Sequence, residues 1–440
     1  MLLSRYMATF FNSGDRYCCL DEGTCFVLPN RTMTAPRGHG PLVEAVCRAL
    51  GLGVCAVALG CGPSKFPETS TAPGYPSDVN AVLYLIGDAG LAKPETPNII
   101  NLRQEVAQRS KTTRVVVAFL GDNIYEHGLH PPSDPSYEQD VAYLEAQIDV
   151  VRGTSAKGVF LPGNHDWGYG GERGAEQVRR QGDYLAAVAE DGVDVRLMPP
   201  AVCPGPEVLA VGDLALLVIV ETDLWLRGDA PGDHCENGSS SQALESLAEV
   251  LRENAAGANR YTIVLGHHPL KTYGSHGGYF GLKDQFFPGT NLWKYLYIPL
   301  PFLYPIARNS GVSSQDMSSS KNERMREGFA AVFQEFPDHP LVWAAGHDHT
   351  LQVFDGGEYH LGYILVSGTG SRLKNVGWDD ALYATGGQQR ELGYMRLEFF
   401  KDARVLLTVV TDGTASCDDS IDCAGRSVVR YWRWLAGPGT

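Results

Sequence analysis

The chain lacks the features that would place it quickly. Neither of its two most apolar stretches reaches the roughly 20 unbroken apolar residues of a membrane-spanning helix. It has no long lysine and arginine run, and its formal net charge is −15, which argues against a nucleic-acid polymer held by counterion release. None of its 10 cysteines forms a C-x-x-C pair, so a zinc ribbon is not indicated. No G-x-S-x-G nucleophile elbow and no internal repeat is present. What remains is an ordinary globular composition over 440 residues, enough for one large domain or two to three smaller ones. A small anion could still bind where local metal charge overrides the negative total.

The first part of the chain reads as an export segment. Arg48 precedes a short apolar run, Ala49 to Gly60, and Cys61 follows Leu59-Gly60. This resembles a bacterial lipobox, in which the cysteine is lipidated and becomes the mature N-terminus; an ordinary cleaved signal or an internal helix is the alternative. Residues 33–60 are then the signal, starting at Met33, with 1–32 a mis-called or disordered extension. Residues 61–80, rich in Pro, Ser, Thr and Gly, are a flexible tether. The expected location is the outer face of a bacterial membrane, or the periplasm or medium. In an exported chain Cys417 with Cys423 and Cys203 with Cys235 could form disulfides, or the thiols could be free and buried.

From residue 81 the pattern alternates. Apolar runs at Ala81–Ile86, Arg114–Leu120 and Gly158–Leu161 read as buried strands, and helical stretches at Pro97–Arg109, Ser136–Val151 and Glu176–Glu190 follow them. Further strands are expected at Leu214–Val220, Tyr261–Leu265 and Leu341–Ala345, with helices at Ser240–Asn254 and Asn322–Phe336. After that come only strands: Leu351–Phe354, Tyr359–Val366, Tyr394–Phe400 and Val405–Val410. This points to an α/β (α+β) domain over 81–412 whose antiparallel end makes a second sheet packed on the first. Residues 413–440 read as a tail without an assignable role. Within the domain, 277–320 is an aromatic insertion broken by prolines: extra core, a pocket wall or lid, a membrane-facing patch or a dimer contact.

The chemistry lies in what ends the strands. Five apolar runs each deliver a short loop: Gly87-Asp88-Ala89-Gly90, Gly121-Asp122-Asn123-Ile124-Tyr125, Gly163-Asn164-His165-Asp166, Gly266-His267-His268-Pro269 and Gly346-His347-Asp348-His349. Asp, Asn, His and Tyr are oxygen and nitrogen ligands for metal ions. One such loop is weak evidence. Five in order, three with histidine, point to one two-metal site that hydrolyses phosphate esters.

The ordered set D-x-G, G-D-x-x-Y, G-N-H-D, G-H-x-P, G-H-x-H resembles the calcineurin-like metallophosphoesterases. Within them it is similar to the purple acid phosphatases, especially the small tartrate-resistant type and its bacterial relatives. Three details carry the closer likeness: Gly90 where most of the superfamily has histidine, Tyr125 three residues after Asp122, and His276 nine residues after His267. The resemblance implies a four-layer α/β/β/α sandwich of two mixed sheets flanked by helices. It implies Asp88, Tyr125 and His349 on one metal, Fe(III); Asp122 as bridge; and Asn164, His267 and His347 on the second, Fe(II), Zn(II) or Mn(II). His165 and His276 would contact the phosphoryl oxygens as catalytic residues, one of them protonating the leaving group. The implied reaction is in-line attack by a metal-bound hydroxide on a small phosphate monoester. A phosphodiesterase or nucleotide hydrolase with the same site is the alternative, and a non-catalytic metal-binding surface protein is the rival from another class. His268 is expected beside the ligands or facing solvent, Asp166 and Trp167 to shape their loop, and Asp348 to point away. His127, His130, His234, His339 and His360 default to surface or structure, and the oligomeric state is open.

Overall fold

A computed structural model describes residues 16–20, 24–28, 78–169, 173–200, 202–228, 234–257, 261–280, 286–287, 303–336, 340–377, 380–386, 391–414 and 427–437. The signal run, Cys61, the tether to residue 77, Cys417, Cys423, His339 and most of the aromatic insertion lie outside them. Two units are distinguished, the first made mainly of residues 1–68. In it β1 (Arg16–Leu20) and β2 (Thr24–Leu28) pair as an antiparallel hairpin, which the reading of 1–32 as an extension did not include. Tyr17, Phe26 and Val27 are strand formers that account for it.

The second unit holds two mixed sheets of seven strands. The first contains β3 (Val79–Ile86), β4 (Arg114–Phe119), β5 (Lys157–Phe160) and β6 (Val195–Leu197), all parallel. Between them run α1 (Pro97–Arg109), α2 (Tyr137–Ile148) and α3 (Gly174–Glu190). The second sheet is opened by the hairpin of β7 (Glu207–Val211) and β8 (Ala215–Ile219). The helices α4 (Thr222–Arg227) and α5 (Ser240–Gly257) precede β9 (Tyr261–Leu265). The short α6 (Leu303–Asn309) and α7 (Ser320–Gln334) precede β10 (Val342–Ala345).

Side-chain alternation makes the layers. Leu83 and Leu85 of β3 and Ala118 of β4 face Leu217, Ile263, Leu265 and Ala344 of the other sheet. Val82, Tyr84, Ile86 and Phe119 point the other way, onto Ile99, Leu102, Leu144 and Leu185 of the three helices. Val264, Trp343 and Ile364 likewise meet Leu247, Met325, Phe329 and Phe333. Strands covered on both faces need near-continuous apolar sequence. The expected α/β/β/α sandwich is the observed one.

The antiparallel end differs from expectation. It does not build a sheet of its own. β11 (Leu351–Asp355), β12 (Tyr363–Ser367) and β13 (Tyr383–Thr385) extend the second sheet, whereas β14 (Gly393–Phe400) crosses back to pair onto β3 and β15 (Val405–Thr411) pairs onto β14. β12 starts at Tyr363 rather than Tyr359, because a 3₁₀ turn over Gly357–Tyr359 precedes it and His360 is left-handed at φ 59°. The C-terminal residues are also no mere tail. β16 (Val428–Ala436) is the edge strand beyond β15, with Trp434 5.3 Å from Phe400 and Tyr431 stacked on Tyr383. Its lack of a clean polar/apolar alternation hid it. Cys203 and Cys235 form a disulfide.

Candidate metal centre

The five loops leave neighbouring strand ends of the two sheets and converge. Three of their residues, Asp88, Asp122 and His347, sit at positive φ of 60°, 54° and 67°. That region is unusual for residues other than glycine and clusters at functional sites. Close approach of the loops explains two glycines. A Cβ on Gly163 would collide with the Asp122 carboxylate, and one on Gly90 would lie 2.8 Å from the backbone of Asp122, Ile124 and Tyr125. The space that a side chain at residue 90 would take is therefore filled by the Tyr125 loop. Asp166 shapes that loop as expected: its carboxylate accepts from the backbone N–H of Asn123, Ile124 and Gly163 at 2.8–3.1 Å.

Two clusters result. In the first, Asp88, Asp122 and His349 bring ligand atoms within 4.8 Å of one another. The Tyr125 hydroxyl donates to Asp88 Oδ1 at 3.0 Å and lies 3.1 Å from His349 Nε2, which is 3.3 Å from the same carboxylate oxygen. Asp88 Oδ2 and His349 Nδ1 are buried without a hydrogen-bond partner among the described residues. In the second cluster His267 Nδ1–H donates to the Leu120 carbonyl at 2.7 Å, so its Nε2 carries a lone pair. That nitrogen lies 3.1 Å from Asn164 Oδ1 and 3.4 Å from Asp122 Oδ1. His347 Nε2–H donates to the Gln315 carbonyl at 3.1 Å, and its Nδ1 lone pair then lies 2.9 Å from the same Asn164 oxygen. Acceptors face acceptors with no hydrogen between them. Such an arrangement is repulsive by itself and favourable around a cation, so the residues fit metal ions. Asp122 belongs to both clusters.

The electrostatics agree. Burial and the Asp122 carboxylate push Asp88 up to about 8, while burial followed by Asp88 and Asp122 drives the Tyr125 phenol well above its ordinary value. Burial lowers His349 to about 3. A bound cation opposes the first two effects and favours the neutral imidazole a ligand needs.

Both expected catalytic histidines flank the clusters. His165 donates from Nδ1 to the Glu126 carbonyl at 2.7 Å, its Nε2 is 3.9 Å from Asp122 Oδ2, and its ring stacks on Tyr169 at 4.5 Å. His276 donates from Nδ1 to Asp316 Oδ1 at 2.9 Å, and its ring lies 3.9 Å from that of His347. His268 does not face solvent. It is fully buried, with Nδ1 2.8 Å from the Thr222 hydroxyl and Nε2 on Gln315, which occupies both nitrogens. Asp348 points away from the clusters, and it has a job there. It accepts from the Thr272 hydroxyl at 2.7 Å and the Ser275 N–H at 3.1 Å, holding the loop that carries His276. Of the unassigned histidines, His130 pairs with Asp140 at 2.7 Å, and His127 is exposed.

Sequence reading missed the rim. Arg372 lies 3.9 Å over the Tyr125 ring and pairs with Glu126. Arg308, Gln315 and Asp316 brace the second cluster. Arg372 had a readable signal, since it too follows a strand and a glycine turn, Ser367 to Ser371. The others belong to no motif.

Among solved structures the chain is similar to GAP50, the anchor in the inner membrane complex of Plasmodium, at 15% identity and TM-score 0.45, covering 77% of this chain and 86% of that one. It is also similar to PhoD at 12% identity and TM-score 0.45, covering 83% of this chain and 73% of that one. No curated protein matches it. The family model of the calcineurin-like phosphoesterases matches residues 82–351, a stretch that begins in β3 and contains all five loops. On that match the chain belongs to the calcineurin-like phosphoesterases, metal-dependent hydrolases of phosphoric esters.

Proposed function

We propose that this protein is a phosphomonoesterase of the purple acid phosphatase type, exported and held at the outer face of a membrane through a lipid on Cys61. The observation that carries the reading is the pair of buried clusters of metal-ligating side chains joined at Asp122. Asp88, Tyr125 and His349 would hold one ion, read as Fe(III), because hard anionic oxygens suit a trivalent metal. Asn164, His267 and His347 would hold the other, Fe(II), Zn(II) or Mn(II), with Asp122 shared. Bound there, the metals supply Lewis-acid charge at the phosphoryl oxygens and lower the pKa of water.

The protein's own groups do the rest. His165 and His276 flank the clusters, and each has its Nδ1 proton fixed by an acceptor, the Glu126 carbonyl and Asp316. Their Nε2 atoms are thereby left to meet the phosphoryl group. One of them, as imidazolium, gives its Nε2 proton to the ester oxygen as the phosphorus–oxygen bond breaks and its electron pair stays on that oxygen; water supplies the oxygen gained by phosphorus, and the proton it releases restores the imidazolium. The loops around these groups are buried, which strengthens every charge interaction among them.

Turnover of the metal-loaded protein on matched phosphate mono- and diesters tests the reading. A monoester preference is the expected result. A diester preference would put the alternative in its place, and two bound metals without turnover on any ester would leave a binding protein. Palmitate labelling lost in Cys61→Ser checks the anchor.

A further inference from the structure

The two histidines that flank the clusters are held differently. His165 meets a neutral backbone carbonyl, whereas His276 meets a carboxylate. That carboxylate, Asp316, is 2% exposed and lies within the 277–320 stretch rather than in any of the five loops. Arg308, at the end of α6, grips it from the other side through both Nε and Nη2. Nη2 also comes within 3.2 Å of His276 Nδ1, because both donors converge on Asp316 Oδ1. The Met317 N–H donates to the His276 carbonyl at 2.9 Å, so backbone and side chain are clamped together. One residue earlier, the Gln315 carbonyl accepts from His347. A single short segment thus fixes the imidazole of one flanking histidine and that of a ligand in the second cluster.

We propose that Asp316, clamped by Arg308, is the positioning residue that sets the tautomer and ring angle of His276 for its part in ester hydrolysis. The proposal rests on the phosphatase reading for its catalytic consequence, but the geometry stands without it. With Nδ1–H committed to Asp316, the imidazolium presents its Nε2 proton to the substrate oxygen, and the neutral ring left after the transfer is the Nδ1–H tautomer. A carboxylate behind an imidazole orients it in the same way in hydrolases of unrelated fold. Burial would raise the Asp316 carboxyl, but Arg308 and His276 outweigh it and hold it below the usual carboxylate range. An ionised Asp316 accepts only, which leaves the Nδ1 proton one place to point.

Two readouts test this on the full chain. Nitrogen-15 imidazole spectra of wild type and Asp316→Asn report the His276 tautomer directly. The Nδ1–H form is expected in wild type, with a shift toward Nε2–H in the variant. An unchanged tautomer would overturn the proposal whatever the activity. The second readout is turnover on an alkyl phosphate and on an aryl phosphate whose leaving group needs little protonation. Asp316→Asn should lose about 10- to 100-fold on the alkyl ester, as losing a partner that orients a site histidine does, and roughly tenfold less on the aryl ester. Equal losses on both, with metal content unchanged, would overturn it. Arg308→Lys keeps a cation beside Asp316 and supplies the comparison if Asp316→Asn folds poorly; a smaller loss with the same alkyl-over-aryl bias is expected, and no bias would overturn the proposal. A wild type that hydrolyses neither ester would sink the phosphatase reading, whereas an active wild type with unbiased losses would sink Asp316 alone.

Discussion

The two clusters at the loop ends share Asp122 yet differ in kind. The first gathers oxygen around Asp88 and Tyr125 with one imidazole, and in it burial, followed by neighbouring carboxylates, pushes Asp88 and Tyr125 away from the charged form. The second gathers neutral groups, an amide oxygen and two imidazoles whose far nitrogens are tied to backbone carbonyls. Anionic hard oxygen favours a highly charged ion, and imidazole favours a divalent transition metal. The difference teaches that one fold can present two unlike sets of donor atoms a few ångströms apart by choosing which residues end its strands. It also says where the comparison can be broken.

The largest effect is expected at the residue common to both. Asp122→Ala should release both metals and cut turnover by more than about 100-fold, beyond what losing an outer partner of a metal ligand costs. Its backbone links are also at stake, since Asp122 Oδ1 accepts from the His165 N–H at 2.9 Å. Metal analysis beside a monoester assay checks this. Retention of either ion at full occupancy would mean that Asp122 is not shared.

The next effect separates the clusters. Asn164→Ala removes the oxygen on which His267 and His347 converge and leaves the first cluster untouched. It should bind one metal of the pair, and that one should resist dialysis against chelator. Turnover should fall by about 10- to 100-fold. Retention of the second metal instead of the first in this variant would reverse the assignment of ions to clusters.

How much of this could be read in advance follows a physical division. The clustered residues were legible because each lies in a loop that ends a strand buried on both faces, and such strands announce themselves as apolar runs. The helix expected over Pro97–Arg109 is found there, and that expected over Ser240–Asn254 runs on to Gly257. β6 and β13, Val195–Leu197 and Tyr383–Thr385, are three residues each, too short to show a period. The split of the antiparallel strands between two sheets was illegible for another reason. β14 reaches back to β3 across most of the chain, and pairing partners at that distance leave no local trace. The same holds for Asp316 and Glu126, whose importance lies in which imidazole they touch. Gly90, where most of the superfamily has histidine, has a reason no motif shows: the backbone of Asp122, Ile124 and Tyr125 packs against it.

The smallest effect on rate, and the sharpest on identity, is expected from Tyr125→Phe. The phenol is one ligand candidate in the richer cluster, and Asp88, Asp122 and His349 remain without it. Both metals should therefore stay bound, and turnover should change by no more than about tenfold, the scale of one hydrogen bond to a charged group. Colour should change completely, because a phenolate bound to Fe(III) gives a visible charge-transfer band that phenylalanine cannot. Arg372 lies over the ring of either residue, so its packing is kept. A band that survives in Tyr125→Phe would remove the tyrosine from the metal. A wild type that is colourless, with two zinc ions and full activity, would remove the iron and with it the contrast in ion charge. The two clusters would then differ in their atoms but not in what they select.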